Sequence, residues 1–221
     1  MFRTISLTLL SGLLLSAAWP VDGFPFLLFI AFVPLLLMDN QLQKRKSVFA
    51  HSFLAFLLWN GLTTFWIVHA TWFGVLMAVL INSLLMASAF TLFSWIKSRL
   101  GSKRGWWGFI CVWLSFEYLH FNWDLSWPWL ALGNGFASYP SLVQWYEYTG
   151  VLGGSLWVLM ANVLAYRAWI SRQFFGLALW ALLPMGISFL VKPILSETDN
   201  VNVVVVQPNI DPYGEKFGGV T

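Results

Sequence analysis

Long apolar runs separated by short polar stretches make up most of the chain. The seven longest runs cover residues 5–19, 24–38, 48–69, 73–96, 106–121, 150–169 and 174–195. A helix needs roughly 17–25 mostly apolar residues to cross about 30 Å of hydrocarbon, because lipid offers no partner for unpaired backbone groups. The pattern therefore predicts an all-α polytopic membrane protein with about seven transmembrane helices.

The character of the chain changes after residue 195. A polar stretch at 196–200 precedes the sequence VNVVVVQP at 201–208, which is typical of a buried β-strand ended by proline. A single apolar strand needs a sheet to join. We therefore predict a transmembrane helical domain at 1–195, followed at 196–221 by a linker and the first strand of a truncated extracytoplasmic α/β domain.

Composition supports the membrane assignment. Hydrophobic residues make up 59% of the chain and charged residues 10%, with a mean hydropathy of +0.72, whereas soluble domains contain about 25% charged residues. The 15 Trp residues suit helix ends at the headgroup level. The net charge of +3 comes from short clusters between apolar runs, so we expect membrane lipids as partners and no nucleic acid.

Lys and Arg alternate between loops in a way that predicts orientation. Ten of the 12 lie before the first run or after the second, fourth and sixth runs: Arg3, Lys44, Arg45, Lys46, Lys97, Arg99, Lys103, Arg104, Arg167 and Arg172. Because basic loops stay on the cytoplasmic side, the N-terminus is predicted inside and the C-terminal segment outside. A competing interpretation takes residues 1–18 as a cleaved signal peptide, which would leave the later loops on the same sides.

The chain contains no self-contained catalytic or metal-binding motif. Its one cysteine, Cys111, lies inside an apolar run, so neither an intrachain disulfide nor a CxxC motif is possible. Zinc-protease, P-loop and nucleophile-elbow motifs do not occur. We therefore predict no metal and no cofactor.

Polar residues at membrane depth are the remaining candidates for function, because burying them is costly. Glu117 and His120 lie three residues apart, with Trp113 four before Glu117, so all three share a helix face. Two interpretations stay open: a hydrogen-bonded acid and imidazole pair that acts on a substrate, or a structural pair that holds the next loop. Three mid-run amides are expected to form interhelical hydrogen bonds: Asn60, Asn82 and Asn162.

An aromatic loop follows the fifth run. It contains Trp123 and the segment Trp127-Pro128-Trp129, and it is followed by Gly133. Such a loop forms a rigid aromatic surface at headgroup level that suits lipid contact, and composition alone fits an ordinary aromatic belt equally well.

Four segments, taken in order, resemble the bacterial apolipoprotein N-acyltransferases. The resemblance covers essentially the whole chain and rests on a Trp-x-x-x-Glu-aromatic segment, an aromatic-Pro-Trp-Leu-x-x-Gly loop, the stretch at 140–162 and a Val-Gln-x-Asn-Ile strand. In this chain these are Trp113 to Tyr118; Trp127 to Leu130 with Gly133; Gln144, Gly150, Gly153 and Asn162; and Val206 to Ile210.

The resemblance implies an enzyme of the bacterial cytoplasmic (inner) membrane. Such enzymes transfer an acyl chain from a phospholipid donor to the diacylglyceryl cysteine of an apolipoprotein acceptor at the outer face. Their Glu, Lys and Cys triad belongs to a nitrilase-like domain, which would lie past Thr221, so we expect no catalytic residue in this chain and no activity from it alone. The substrate-binding positions that the resemblance implies are Glu117, His120, Trp127, Pro128, Trp129, Gln144, Glu147 and Phe217.

Two positions depart from the family pattern. His120 stands where the family often has Arg, which replaces a fixed charge by a titratable group, and Phe217 stands where the family has Trp. Two other classes of function compete with the acyltransferase: a transporter or lipid-binding scaffold without chemistry, and a membrane module for a polyprenol-linked glycosyltransferase. The chain has no internal repeat of the kind found in secondary transporters.

Overall fold

The structure is a computed structural model that describes residues 2–19, 23–191 and 203–207. The regular secondary structure of these residues is entirely helical, as predicted, and they contain no β-strand. The α-helices are α1 (Phe2–Ala17), α2 (Val33–Asp39), α3 (Arg45–Thr64), α4 (Trp72–Phe121), α5 (Tyr146–Ser171) and α6 (Phe175–Leu190). Short 3-10 helices lie between them at Pro25–Phe29, Phe65–His69, Pro128–Leu130, Leu132–Phe136 and Pro140–Leu142.

Three helical segments within the described residues are long and apolar enough to cross a membrane: Arg45–His69, Trp72–Phe121 and Tyr146–Ser171. Shorter apolar helical segments are Phe2–Ala17, Pro25–Asp39 and Phe175–Leu190. The outer surface of α6 exposes large apolar side chains, including Leu182, Phe189 and Leu190. A surface of this kind is stable only against lipid or another apolar partner. These features indicate a membrane protein, while the number of seven crossings stays a prediction.

The helix α4 is a hairpin of two antiparallel helices. Its 50 residues would extend about 75 Å if straight, but Gly101 has φ +76° and ψ 165°, which interrupts the helix. The Phe93 and Phe109 ring centroids are 5.0 Å apart, whereas sixteen residues of straight helix would separate them by about 24 Å. The hairpin corresponds to the separate runs predicted at 73–96 and 106–121.

The run predicted as a helix at 24–38 is not continuous. A 3-10 turn at Pro25–Phe29 precedes the seven-residue helix α2, which is about 10 Å long. Pro34 near the start of α2 lacks a backbone N–H and restricts the residue before it. A side chain of α5 pairs with the backbone at the break: Asn162 accepts from the Phe32 N–H at 2.8 Å and donates to the Leu28 carbonyl at 2.7 Å.

Aromatic rings fill the core between α1, α2 and the helices α3 to α5. Trp113 is almost fully buried and meets Phe32 edge-on, with ring centroids 4.9 Å apart at 79°. Phe56 of α3 approaches the same indole at 5.5 Å. Edge-to-face contacts of this type add to the burial of aromatic area, so the core fixes the position of Trp113 just below the candidate site.

The two ends of the helical bundle differ in chemistry. At one end the basic residues 44–46 at the start of α3 meet the Gly101 turn, and the Arg45 guanidinium lies 5.8 Å from the Trp95 ring centroid. At the other end Trp66 stacks on Trp129, with ring centroids 4.9 Å apart. The two basic loops that were predicted to share one side of the membrane are therefore neighbours, and the aromatic loop lies at the opposite end.

The predicted C-terminal strand is not confirmed. Residues 203–207 have no regular secondary structure, and the side chains of Val203 to Val206 are exposed. The rest of that segment, including Phe217, lies outside the described residues.

Candidate functional site

Glu117 lies in the second half of α4 and holds the aromatic loop. Its side chain is buried, and Oε1 accepts hydrogen bonds from the Trp113 Nε1 and from the backbone N–H of Leu132, each at 2.9 Å. Oε2 is buried and lacks a hydrogen-bond partner among the described residues, although Ser155 of α5 faces the same carboxyl. The carboxyl therefore ties α4 to a loop that begins after the helix ends.

His120 belongs to a hydrogen-bond chain that crosses three helical segments. Trp123 donates from Nε1 to the His120 Nδ1 at 2.9 Å, and the His120 Nε2 lies 2.9 Å from the Asn82 Oδ1. Asn82 then donates to the Asn60 Oδ1 at 2.7 Å, and Asn60 donates to the Phe56 carbonyl at 2.9 Å.

The direction of these hydrogen bonds assigns the protonation state of the His120 imidazole. An indole N–H can only donate, so Nδ1 of His120 must accept and carries no proton. Nε2 therefore carries the proton and donates to Asn82, and the ring is neutral in this arrangement. Asn60 and Asn82 make the interhelical hydrogen bonds expected of them.

Glu117 and His120 do not form an acid and imidazole pair. They lie on one face of α4, as their spacing predicted, but each is hydrogen-bonded to other groups. The interpretation that they hold the following loop agrees with this geometry, because Glu117 binds the backbone of Leu132 and His120 binds the side chain of Trp123.

The aromatic loop folds over this end of the bundle. Trp127 and Trp129 lie with ring centroids 4.7 Å apart, and Trp129 also stacks on Trp66 of the 3-10 helix Phe65–His69. Trp129 remains 46% exposed, whereas the Nε1 of Trp127 is buried without a hydrogen-bond partner among the described residues. One tryptophan therefore faces the surroundings of the protein and the other faces inward.

A close backbone contact joins the loop to α5. The Gly133 N–H donates to the Ser155 Oγ at 2.9 Å, and the Tyr146 hydroxyl donates to the Gly133 carbonyl at 3.0 Å. A Cβ at position 133 would collide with the carbonyl oxygen of Val151. Glycine is therefore required here for close packing.

A cavity of about 320 Å³ opens between the first half of α4 and the aromatic loop. Met77, Ile81 and Leu85 of α4 form an apolar wall. The lining also includes polar residues: Asn82 of the same half of α4, and His120, Asp124 and Ser126. A much smaller cavity next to it is lined by Glu117, His120, Trp127 and Pro128, so these four predicted residues come together at one place.

The other predicted residues lie apart from this cluster. Trp129 lines a separate cavity of about 370 Å³ with Trp66. Gln144 and Glu147 lie at the start of α5, where the Gln144 side chain donates to the Pro140 carbonyl at 2.8 Å and Glu147 is exposed. Phe217 falls in the part of the chain that the structure leaves undescribed.

Three contributors to the site were not predicted from the sequence. Ser155 and Tyr146 bind Gly133, and Trp66 covers Trp129. None of them carries a motif, since their relevance depends on which segments meet in space. Across the described ranges no group of three or more His, Cys, Asp and Glu could hold a metal ion.

Comparison with known proteins identifies relatives of the chain. Residues 11–164 match the family model of the apolipoprotein N-acyltransferase N-terminal domain. The apolipoprotein N-acyltransferase of Chlorobaculum tepidum is 31% identical over 97% of this chain and 43% of its own length. Those of Geobacter metallireducens and Borreliella burgdorferi are 30% and 25% identical over 75% and 96% of this chain. This chain spans less than half the length of these relatives, since the matched regions cover 33% and 44% of the latter two.

Proposed function

Because this chain belongs to the apolipoprotein N-acyltransferase family, we propose that it is the membrane part of an enzyme that acylates apolipoproteins. The reaction would move an acyl chain from a phospholipid to the α-amino group of an N-terminal diacylglyceryl cysteine. The family model that matches this chain describes the N-terminal domain. The 221 residues of this chain would receive the lipid substrates, and a nitrilase-like domain would carry out the acyl transfer.

The cavity beside the aromatic loop is the observation that carries the proposal. Its apolar wall of Met77, Ile81 and Leu85 suits an acyl chain, and its polar residues suit an ester or glycerol group. The tryptophans at its rim prefer the headgroup level of a membrane. A lipid can therefore enter sideways, with its chain along α4 and its polar part toward His120 and Asp124.

Glu117 and His120 support this cavity through the loop. Glu117 holds the backbone of Leu132, and His120 holds Trp123, which lines the cavity. We propose Trp127, Pro128 and Trp129 as lipid contacts, while Gln144, Glu147 and Phe217 stay proposed substrate contacts on the family pattern alone.

The orientation proposed for the chain follows from its charges. The end with the basic loops lies at the cytoplasmic surface, and the aromatic loop lies at the outer surface, where apolipoproteins are modified. Residues 1–195 then form the transmembrane domain, and residues 196–221 lead into the outer compartment.

Filling the cavity tests the proposal. Ile81→Trp places an indole in the cavity, whereas Leu84→Trp adds the same group to an exposed face of the same helix. Both variants are made in the protein as its gene encodes it, and acyl transfer from labelled phospholipid to a diacylglyceryl peptide is measured in detergent. We expect Ile81→Trp to lower kcat/KM for the phospholipid about tenfold, and Leu84→Trp to change it less than twofold.

Equal activity of the two variants, with melting temperatures within a few degrees of each other, would contradict lipid entry at this cavity. The 221-residue chain reconstituted by itself is expected to transfer no label. Transfer by this chain alone would place the chemistry within it.

A further inference from the structure

Another cavity lies at the end of the bundle away from the aromatic loop. It has a volume of about 450 Å³ and forms where the segment after α2 meets the Gly101 turn of α4. Most of the residues that line it are polar, among them Asp39, Gln43, Arg45, Lys97 and Ser102. We call this cavity the basic pocket.

An internal ion pair forms one wall of the basic pocket. The Lys97 Nζ lies 2.6 Å from the Asp39 Oδ2 and also donates to the Asn40 Oδ1 at 2.7 Å. The side chains of Lys97 and Asp39 are only 10% and 4% exposed. Ser94 donates to the other carboxylate oxygen of Asp39. The charge of Asp39 is thus neutralised by Lys97 and does not repel an anion in the pocket.

Arg45 supplies an uncompensated positive charge in the same pocket. Its guanidinium packs on the Trp95 ring and has no carboxylate within ion-pair distance among the described residues. The Gln43 amide and the Ser102 hydroxyl line the pocket and make no hydrogen bond to other described groups. These donors, together with the planar fork of Arg45, match the oxygens of a phosphate group.

The surrounding charge favours an anion strongly. Segments 39–46 and 94–104 contain seven Lys and Arg residues against a single carboxylate, that of Asp39. Basic pockets between transmembrane helices at the cytoplasmic surface recognise anionic headgroups, and nearby basic residues add attraction to an anionic leaflet.

We propose that the basic pocket binds the phosphate of an anionic phospholipid in the leaflet at this end of the bundle. A lipid fits better than free phosphate, because apolar groups flank the pocket: Leu42 lines it, Trp95 is 39% exposed, and Leu100 is 53% exposed. The bound lipid would join α3 to the turn of the α4 hairpin. This site is separate from the cavity beside the aromatic loop and does not depend on the acyltransferase proposal.

Lipid retention tests the proposal. The protein as its gene encodes it is purified from vesicles of phosphatidylcholine with phosphatidylglycerol, and retained lipids are counted by native mass spectrometry. Arg45→Gln removes the charge of a residue that lines the pocket. Lys46→Gln removes an equal charge from an exposed neighbour that does not line it. We expect Arg45→Gln to lower retention of phosphatidylglycerol at least fivefold and Lys46→Gln to lower it less than twofold.

Thermal unfolding supplies an independent measurement. Phosphatidylglycerol is expected to raise the melting temperature of the wild-type and Lys46→Gln proteins, and not that of Arg45→Gln. Arg45→Lys keeps the charge without the planar fork, so it should retain an intermediate amount of lipid, and it serves if Arg45→Gln fails to fold. Equal losses of phosphatidylglycerol retention in Arg45→Gln and Lys46→Gln would contradict binding in the pocket and would indicate attraction by general surface charge. Displacement of the lipid by inorganic phosphate at millimolar concentration would overturn a lipid as its ligand.

Discussion

The hydrogen bonds of Glu117 allow a quantitative test of how the aromatic loop is held. Glu117→Ala leaves two buried donors, the Trp113 Nε1 and the Leu132 N–H, without an acceptor. An unsatisfied buried polar group costs about 1–3 kcal/mol, and water that enters the space left by the side chain recovers part of this. We therefore expect a loss of about 2–4 kcal/mol in the free energy of unfolding.

Two further variants separate the acceptor oxygen from the carboxyl group as a whole. Glu117→Gln keeps a carbonyl oxygen where Oε1 accepts both hydrogen bonds, so its cost should stay below about 1 kcal/mol. Trp113→Phe removes one of the two donors and should cost about 1 kcal/mol from the lost hydrogen bond, plus a smaller term for the indole area. In the double variant Trp113→Phe with Glu117→Ala, only the Leu132 N–H remains unsatisfied.

The assay is reversible unfolding in mixed micelles, followed by helix content. For a chain of this size, 1 kcal/mol corresponds to about 2–4 °C in melting temperature, so Glu117→Ala should melt about 5–15 °C below wild type and Glu117→Gln within about 4 °C of it. The double variant should cost about 1 kcal/mol less than the sum of its single variants, because one orphaned donor is gone. A Glu117→Gln protein as unstable as Glu117→Ala would refute the argument, since it would show that the acceptor oxygen does not hold the loop.

Three more predictions test other parts of the structure. Asn82→Leu removes the acceptor of His120 and the donor to Asn60, and it should cost about 1–2 kcal/mol in unfolding free energy and change the imidazole nitrogen shifts in NMR spectra; unchanged shifts would contradict the hydrogen-bond chain. Gly133→Ala introduces a collision with Val151 and should lower the free energy of unfolding by about 1–3 kcal/mol. The control Gly61→Ala lies in open space on α3 and should leave that free energy unchanged or raise it by up to about 1 kcal/mol. Equal effects of the two variants would contradict the close contact at Gly133. An impermeant maleimide added outside intact cells should label Val205→Cys and not Lys46→Cys, and the reverse result would invert the proposed orientation.

Apolar run lengths predicted most helices because the constraint behind them is local. Each transmembrane helix must satisfy its own backbone within about 20 residues, so the break at Gly101 falls between the runs predicted at 73–96 and 106–121. The run predicted at 150–169 lies within α5, although α5 already begins at Tyr146 and its backbone is non-helical at Gly150. The exception is residues 24–38. There the backbone of Phe32 and Leu28 bonds to the side chain of Asn162, which is 130 residues away in sequence from Phe32. The local sequence pattern cannot predict a helix break at which the backbone hydrogen bonds to a side chain of a distant helix.

The candidate site shows the same division between local and distant information. Sequence spacing correctly placed Trp113, Glu117 and His120 on one face of α4, and Trp113 does bond Glu117. It could not choose partners across the bundle. Leu132 comes from the loop and Asn82 from the other half of the hairpin. Glu117 bonds to Leu132 and His120 bonds to Asn82, so the two do not form the pair that their spacing suggested. Lys97 likewise looked like a loop charge, but it is buried against Asp39, 58 residues earlier.

The geometry around His120 also bears on its departure from the family pattern, in which Arg often stands at this position. An arginine side chain cannot accept a hydrogen bond, so it could not accept the one that the Trp123 indole N–H donates to the His120 Nδ1. The imidazole both accepts from Trp123 and donates to Asn82, and this dual role requires the neutral ring. A fixed positive charge is therefore not what this chain uses at the position. Here the side chain connects the aromatic loop to the amides of α3 and α4, and any phosphate that enters the cavity beside it would have to be recognised by hydrogen bonds from other groups.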